Sequence, residues 1–388
     1  MPHYRSVGDV PRKRHVDHRQ PDGSRYHEEL MGQEGFASSS ALLYHRHSPS
    51  AVVAIEAVGS CEQPGTPDVP LVPRHLRTGE LPPGTGDLVT GRHELLANAD
   101  VAIGWVVATE DSPLYRNAAE DELLFVQSGA GTLESVFGPL DVGEGDYVVV
   151  PAGTTHRWAV AQGGLSVLVV RSAGHVSPPK RYLSAQGQFL EHAPYCERDL
   201  RMPTEPLLVE GTDVDVLVRN RAGLSRHTHR HHPFDVAGWD GCLYPWAFSI
   251  SDFEPIVGRI HQPPPVHQTF EGPGFVVCSF VPRLFDFHPD AIKVPYHHAN
   301  TDSDEVLFYA DGNFMSRAGS GIGVGSISYH PAGFVHGPQP GSIEASLDQD
   351  RTEETAVMID TFAPLAVTDA ARAVSDPAYP ASWSRSIG

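Results

Sequence analysis

One strand-and-turn pattern occurs twice in this chain, in the same order. Asp121-Glu122-Leu123-Leu124-Phe125 answers Asp304-Glu305-Val306-Leu307-Phe308, and Pro151-Ala152-Gly153-Thr154-Thr155-His156 answers Pro331-Ala332-Gly333-Phe334-Val335-His336. The first anchors lie 183 residues apart (305 − 122) and the second 180 (336 − 156), so the register slips by only three residues between them. Two matched anchors in one order mark a duplicated unit. Within each copy, short apolar runs such as ELLFVQ, TLESVF and YVVVP alternate with glycine-rich turns, the pattern of a β-meander. The 37 Gly and 34 Pro among 388 residues suit many short strands better than long helices.

This repeat resembles the cupin barrel, a small jelly-roll (double-stranded β-helix) that places His and Glu side chains inside its mouth. The expected fold is all-β: two cupin-type barrels with N-terminal and connecting loops and short helices. The division is expected at 195/196, with an N-terminal domain of 1–195 and a C-terminal domain of 196–388. The segment up to about residue 40 is polar and weakly periodic. CEQPGTPDVPLVPRHLRTGELPPGTGD, from Cys61 to Asp87, reads as a long connection wrapping a surface or a neighbouring subunit.

Charge and composition exclude several classes of partner. There are 28 basic and 48 acidic side chains, for a formal charge of -20. Such a surface repels nucleic acid and anionic membrane. No stretch approaches membrane-span length, and the polar, basic N-terminus lacks the apolar core of a signal peptide. The four cysteines, Cys61, Cys196, Cys242 and Cys278, form no C-x-x-C pair, which argues against a disulfide framework or a Cys-based zinc site. The expectation is a cytoplasmic protein.

The chemistry concentrates in VPYHHANTDSDEVLFYADG…SISYHPAGFVHGPQPG. Alternate residues of a barrel strand face inward, so His298, Glu305 and His336 can converge from neighbouring strands. Two imidazoles and one carboxylate hold one face of Fe(II) and leave the other open for substrate and O₂. His297 and His298 are neighbours, of which only one faces inward, and Asp304 competes with Glu305 as the carboxylate. His330, six positions before His336, is the candidate acid/base. The first half keeps Glu122 and His156 but has Asn117 near where a first His would stand, and reads as a metal-free scaffold. The run His227-Thr228-His229-Arg230-His231-His232 is read as a solvated or subunit-contact loop ahead of a strand. His261 and His267, around three prolines, either line the mouth or cap a strand end. Arg317 and Arg283 are candidates to pair with a substrate carboxylate.

Over most of its length the chain resembles the homogentisate 1,2-dioxygenase family. The resemblance rests on HPFDVAGWDG…YPW, on Phe280-Val281-Pro282-Arg283, on His298-Ala299-Asn300 and on His330…His336-Gly337-Pro338. YHEELMGQEGFAS and FGPL…GDYVVVPAGTTHRW also look like the family's N-terminal part. It implies Fe(II) on His298, Glu305 and His336, His330 as base, a homo-oligomer, and O₂-dependent opening of a small aromatic ring, as in tyrosine degradation. The His298–Glu305 interval is one residue longer than the family's, which leaves Asp304 open as the ligand. Asp240 stands where the family has a substrate-contacting His, and Phe314 where it has a substrate-holding Tyr. These two departures bear on the substrate and leave a gentisate-like or aminophenol ring open, as well as a non-oxidative or non-catalytic cupin.

Overall fold

The computed structural model describes residues 3–60, 65 and 69–384. Cys61 lies outside these residues; Cys196, Cys242 and Cys278 are free thiols. The fold is all-β, with α-helix confined among the described residues to Ser342–Ser346 and Asp369–Ala373. Its strands form sheets of four, thirteen, six and two strands.

The duplicated sequences build the centres of the two large sheets. Asp121–Ser135 pairs antiparallel with Asp146–Val150 and Thr155–Ser172 in the first. Asp304–Asp311 pairs with Ser326–His330 and Thr355–Thr361 in the second. Both faces of these strands are covered, and alternate residues feed different cores. Leu124, Val126, Val148 and Val150 join Trp158 in one cluster. Leu123, Phe125, Tyr147 and Val149 join a larger one that also holds Val306, Phe308, Val357 and Ile359 of the second barrel. The barrels therefore pack back to back. Phe308 meets Trp105 at 5.3 Å and Phe125 at 6.1 Å between ring centres. A buried hydrogen bond of 2.8 Å joins the Tyr147 and Ser279 hydroxyls across the same seam.

The repeat extends to individual hydrogen bonds. Asp121 accepts from Ala152 N at 2.8 Å, and Asp304 accepts from Ala332 N at 2.8 Å. Each aspartate thus ties the start of its strand to its Pro-Ala-Gly turn. Gly153 and Gly333 occupy the left-handed region at φ 85° and 78°, where a side chain is strained. Their N–H groups donate to Asn117 O and Asn300 O.

Strand pairing does not follow a division at 195/196. The strands Leu200–Arg201, Thr212–Arg219, Gly223–His231 and Trp246–Ser249 all join the thirteen-stranded sheet of the first barrel. Their edges complete its ladders, as where Trp246–Ser249 pairs Asp146–Val149. The Pro/Gly-rich connection is more than a wrap. Its Arg74–Arg77 forms the edge strand of the second sheet, pairing Ser326–Tyr329. In return, Ala366–Val367 from near the C-terminus pairs Leu96–Ala97 of the first. The polar N-terminal segment also supplies strands, Arg5–Gly8 and His27–Gly32, to the four-stranded sheet. The histidine run is likewise a strand rather than a loop. His227, His229 and His231 share one face of Gly223–His231, and the His231 ring stacks on His47 at 4.0 Å.

Candidate metal centre

Glu305 sits near the start of Asp304–Asp311, and its carboxylate is buried. His336 follows the Pro-Ala-Gly turn, and His298 bridges it in an antiparallel backbone pair, with N–H···O bonds of 2.8 and 2.9 Å. Their side chains converge. His298 Nε2 is 3.4 Å from Glu305 Oε2 and His336 Nε2 is 3.1 Å from Oε1. One ligand atom from each of the three lies within 4.8 Å of the others, the single such group found among the described residues. Asp304 is occupied elsewhere, binding Ala332 N, Leu365 N and the Tyr329 hydroxyl. His297 is exposed and outside the group.

The tautomers fit a cation. His298 Nδ1 donates to Tyr296 O at 3.2 Å, and His336 Nδ1 donates to Phe334 O at 3.0 Å. Each Nε2 then presents a lone pair toward the carboxylate, so three acceptors face one another. A divalent metal relieves that opposition, and carbonyl-bound Nδ1–H groups are a common support for metal-ligating histidines. Protonated at Nε2 as well, the same two rings donate to Glu305 instead, and together with His330 they outweigh burial and hold its carboxyl well below the usual range. The hydrogen bond to Glu305 prevails over burial at His298 and raises its pKa.

His330 stands behind this group rather than on a free surface. Its side chain is fully buried, with Nδ1 2.9 Å from Glu305 Oε1 and Nε2 2.9 Å from the Tyr379 hydroxyl. Its ring stacks on His336 at 3.9 Å. Burial pushes its pKa down to about 3 despite the carboxylate, so it is neutral and donates to Glu305. With both nitrogens engaged, it orients the ligand set. The residue expected as acid/base thus has both ring nitrogens on protein partners and is not among the residues lining the cavity.

A cavity of about 370 Å³ opens beside His298 and Glu305. Strand alternation builds one wall: Glu305, Leu307 and Tyr309 face Asp360, Met358 and Ala356 on the paired strand. His261, His267, Arg283 and Arg317 also line it. His261 Nδ1 lies 3.3 Å from Asp286 Oδ2. His267 is buried, which lowers its pKa to about 3, and its Nδ1 has no partner. Arg317 donates to the Tyr309 hydroxyl and to Gly337 O, each at 2.9 Å.

Two expected substrate positions lie outside this lining. Asp240 is on the strand Val236–Gly241, where Tyr4 and Arg14 hold its carboxylate at 2.8 and 2.9 Å. Phe314 packs edge-on against Tyr309 at 4.9 Å between ring centres and is not among the lining residues. Sequence reading missed Asp360, Glu354 and Tyr309. The alternation of TAVMIDT, once placed beside DEVLFYA, was the available signal.

The first barrel treats its matching residues differently. Tyr115, not Asn117, pairs His156 as His298 pairs His336. The Arg92 guanidinium grips both oxygens of Glu122 at 2.8 and 2.9 Å, and Tyr115 and Asn117 add bonds of 3.2 and 3.1 Å. An arginine therefore neutralises this carboxylate.

Two packed β-barrels with an inward His–Glu–His group define a cupin with a candidate metal centre. Residues 106–171 match the family model described as the cupin domain. The chain is 38% identical over 387 residues, 99% of each chain, to a protein of Saccharolobus solfataricus that carries the name "Putative dioxygenase". Homogentisate 1,2-dioxygenase of Bradyrhizobium diazoefficiens is 26% identical over 266 residues, 64% of this chain and 58% of that one. The Caenorhabditis elegans enzyme of the same name is 28% identical over 284 residues, 69% and 60%. The chain thus spans less than two thirds of these homogentisate enzymes. It belongs to the cupin dioxygenase family. Among its described residues, no helix is long and apolar enough to cross a membrane.

Proposed function

We propose that the chain is an Fe(II)-dependent, extradiol-type dioxygenase that opens the ring of homogentisate or a related hydroxylated aromatic acid with O₂. The observation that carries this reading is the convergence of two imidazole Nε2 atoms and one carboxylate beside a cavity. His298, Glu305 and His336 would hold the iron, which when bound supplies redox chemistry and open positions for substrate and O₂. His330 fixes Glu305 from behind and is itself held by the Tyr379 hydroxyl.

Acceptance of a phenolic proton falls to His261. It lines the cavity, and its Nδ1–H points to Asp286, which leaves Nε2 as an acceptor. Leu307, Met358 and Phe280 give the ring an apolar bed that limits water. Arg317 and Arg283 also line the cavity and suit a substrate carboxylate.

A second reading, with the same iron on a gentisate-like or aminophenol ring, is favoured by the placement of Asp240 and Phe314 outside the cavity. An oxygen electrode with a panel of dihydroxylated aromatic acids tests both. Iron-loaded protein should consume O₂ with at least one of them, and His336→Ala should abolish uptake and metal together. Iron-loaded protein that takes up no O₂ with any ring would contradict the reading.

A further inference from the structure

Glu305 has a cross-strand neighbour on each side. In the register of the sheet it faces His330 on one strand and Asp360 on the other. Directly paired residues project from the same face, with Cβ atoms about 4.5–5.5 Å apart. The His330 side is closed by a 2.9 Å hydrogen bond. The Asp360 side is not. No described residue donates a hydrogen bond to its carboxylate, and its Oδ1 is buried without a partner. Asp360 lines the cavity, its same-face neighbours along the strand are Met358 and Ala356, and it is outside the three-residue ligand group.

Two carboxylates directly opposite each other repel. A metal on the Glu305 side answers one of them; the other still needs a donor. The enclosed Oδ1 has no donor, and an enclosed, unmet acceptor is costly and a matched donor valuable. Arg317 is committed to the Tyr309 hydroxyl and Gly337 O, and no described side chain hydrogen-bonds Asp360.

We propose that Asp360 is a specificity-determining residue: it accepts a hydrogen bond from a second O–H or N–H group on the substrate ring, and it repels ring carboxylates from its own side of the cavity. The inference rests on the dioxygenase reading of the same site. It narrows the substrate to arenes with two hydroxyls, or one hydroxyl and one amino group.

The test is anaerobic binding to metal-loaded protein of four probes: catechol, hydroquinone and the mono-methyl ether of each. Wild type should prefer at least one two-donor probe over its ether by about tenfold or more, since hydrogen bonds to charged groups exceed neutral ones. Asp360→Leu should lose that preference while keeping its metal, and Asp360→Asn should keep part of it. An equal preference in Asp360→Leu would overturn the proposal, because the ether's bulk would then explain it. Loss of metal in both variants would also overturn it and make Asp360 a ligand. Wild type that takes up no metal would instead sink the dioxygenase reading, so the two failures are distinguishable.

Discussion

His330 shows how one residue's role turns on which way its two nitrogens point. Sequence spacing allows a base, but the folded ring gives one nitrogen to Glu305 and the other to Tyr379. Removing such a support typically weakens metal binding about 10–100-fold. His330→Phe should therefore lower iron affinity by that order in an anaerobic titration. His261→Ala should leave iron affinity unchanged and lower kcat by about 10²–10⁴, the usual range for a general base. Unchanged turnover in His261→Ala would return the proton to another group.

The grouping of His298, Glu305 and His336 was legible in the sequence, because two copies of one pattern could be laid side by side. The same comparison pairs Glu305 with Glu122 and Asp304 with Asp121, and the hydrogen bonds separate their roles: the aspartate is the turn clamp in each copy. Asp360 was not legible. Its importance comes from its cross-strand partner, which is set by pairing between segments far apart in sequence. The misplacement of Asn117 has a similar origin, since spacing along the chain does not reveal which residue bridges His156.

At the scale of elements, two buried clamps invite measurement. Asp304→Ala would strand the N–H groups of Ala332 and Leu365 that it now binds. Unsatisfied buried groups cost about 1–3 kcal/mol each, so denaturant unfolding should show a loss of that order, with iron binding weakened because His336 follows the same turn. His45 is the other clamp. It lies between Asp235 at 2.6 Å and Glu29 at 2.9 Å, joining three strands or loops of the four-stranded sheet. Burial alone would lower its pKa, but the two carboxylates overcome this and raise it to about 9 from an ordinary 6.5. Below 6.5 both folded and unfolded states hold the proton, and the contribution to stability is fully present. Between 6.5 and about 9 only the folded state holds it, and each pH unit removes about 1.4 kcal/mol. Stability of wild type relative to His45→Gln should therefore decline across this window and level off above it. A pH-independent difference would contradict the clamp.

The histidine strand and the edge strand at Arg74–Arg77 were both missed as elements, for one physical reason. Their polar or Pro-flanked sequences lack strong apolar alternation, and they become strands because a sheet edge accepts them.

At the scale of the whole molecule, the barrels are bound together by exchange. An N-terminal connection supplies an edge to the second sheet, and a C-terminal segment supplies one to the first. The large apolar cluster spans both. Cutting the chain at 195/196 should therefore leave neither half folded, and calorimetry of the intact chain should show one transition. Leu76, fully buried on the exchanged strand, should cost about 2–5 kcal/mol when changed to Ala. Two well-separated transitions, each tracking one barrel, would contradict this coupling.

The repeat announced two barrels but not their exchange, because duplication reports on what each copy contains and not on which edges are left open. The same exchange braces the second sheet, whose strand Ser326–His330 carries His330 against Glu305.

An anomalous-difference map at the iron edge, from crystals loaded with Fe(II) under anaerobic conditions, addresses the central claim most directly. The account predicts one strong peak bounded by His298 Nε2, the Glu305 carboxylate and His336 Nε2, absent in His336→Ala. A peak elsewhere, or a loaded crystal in which those three groups bind no iron, would contradict it.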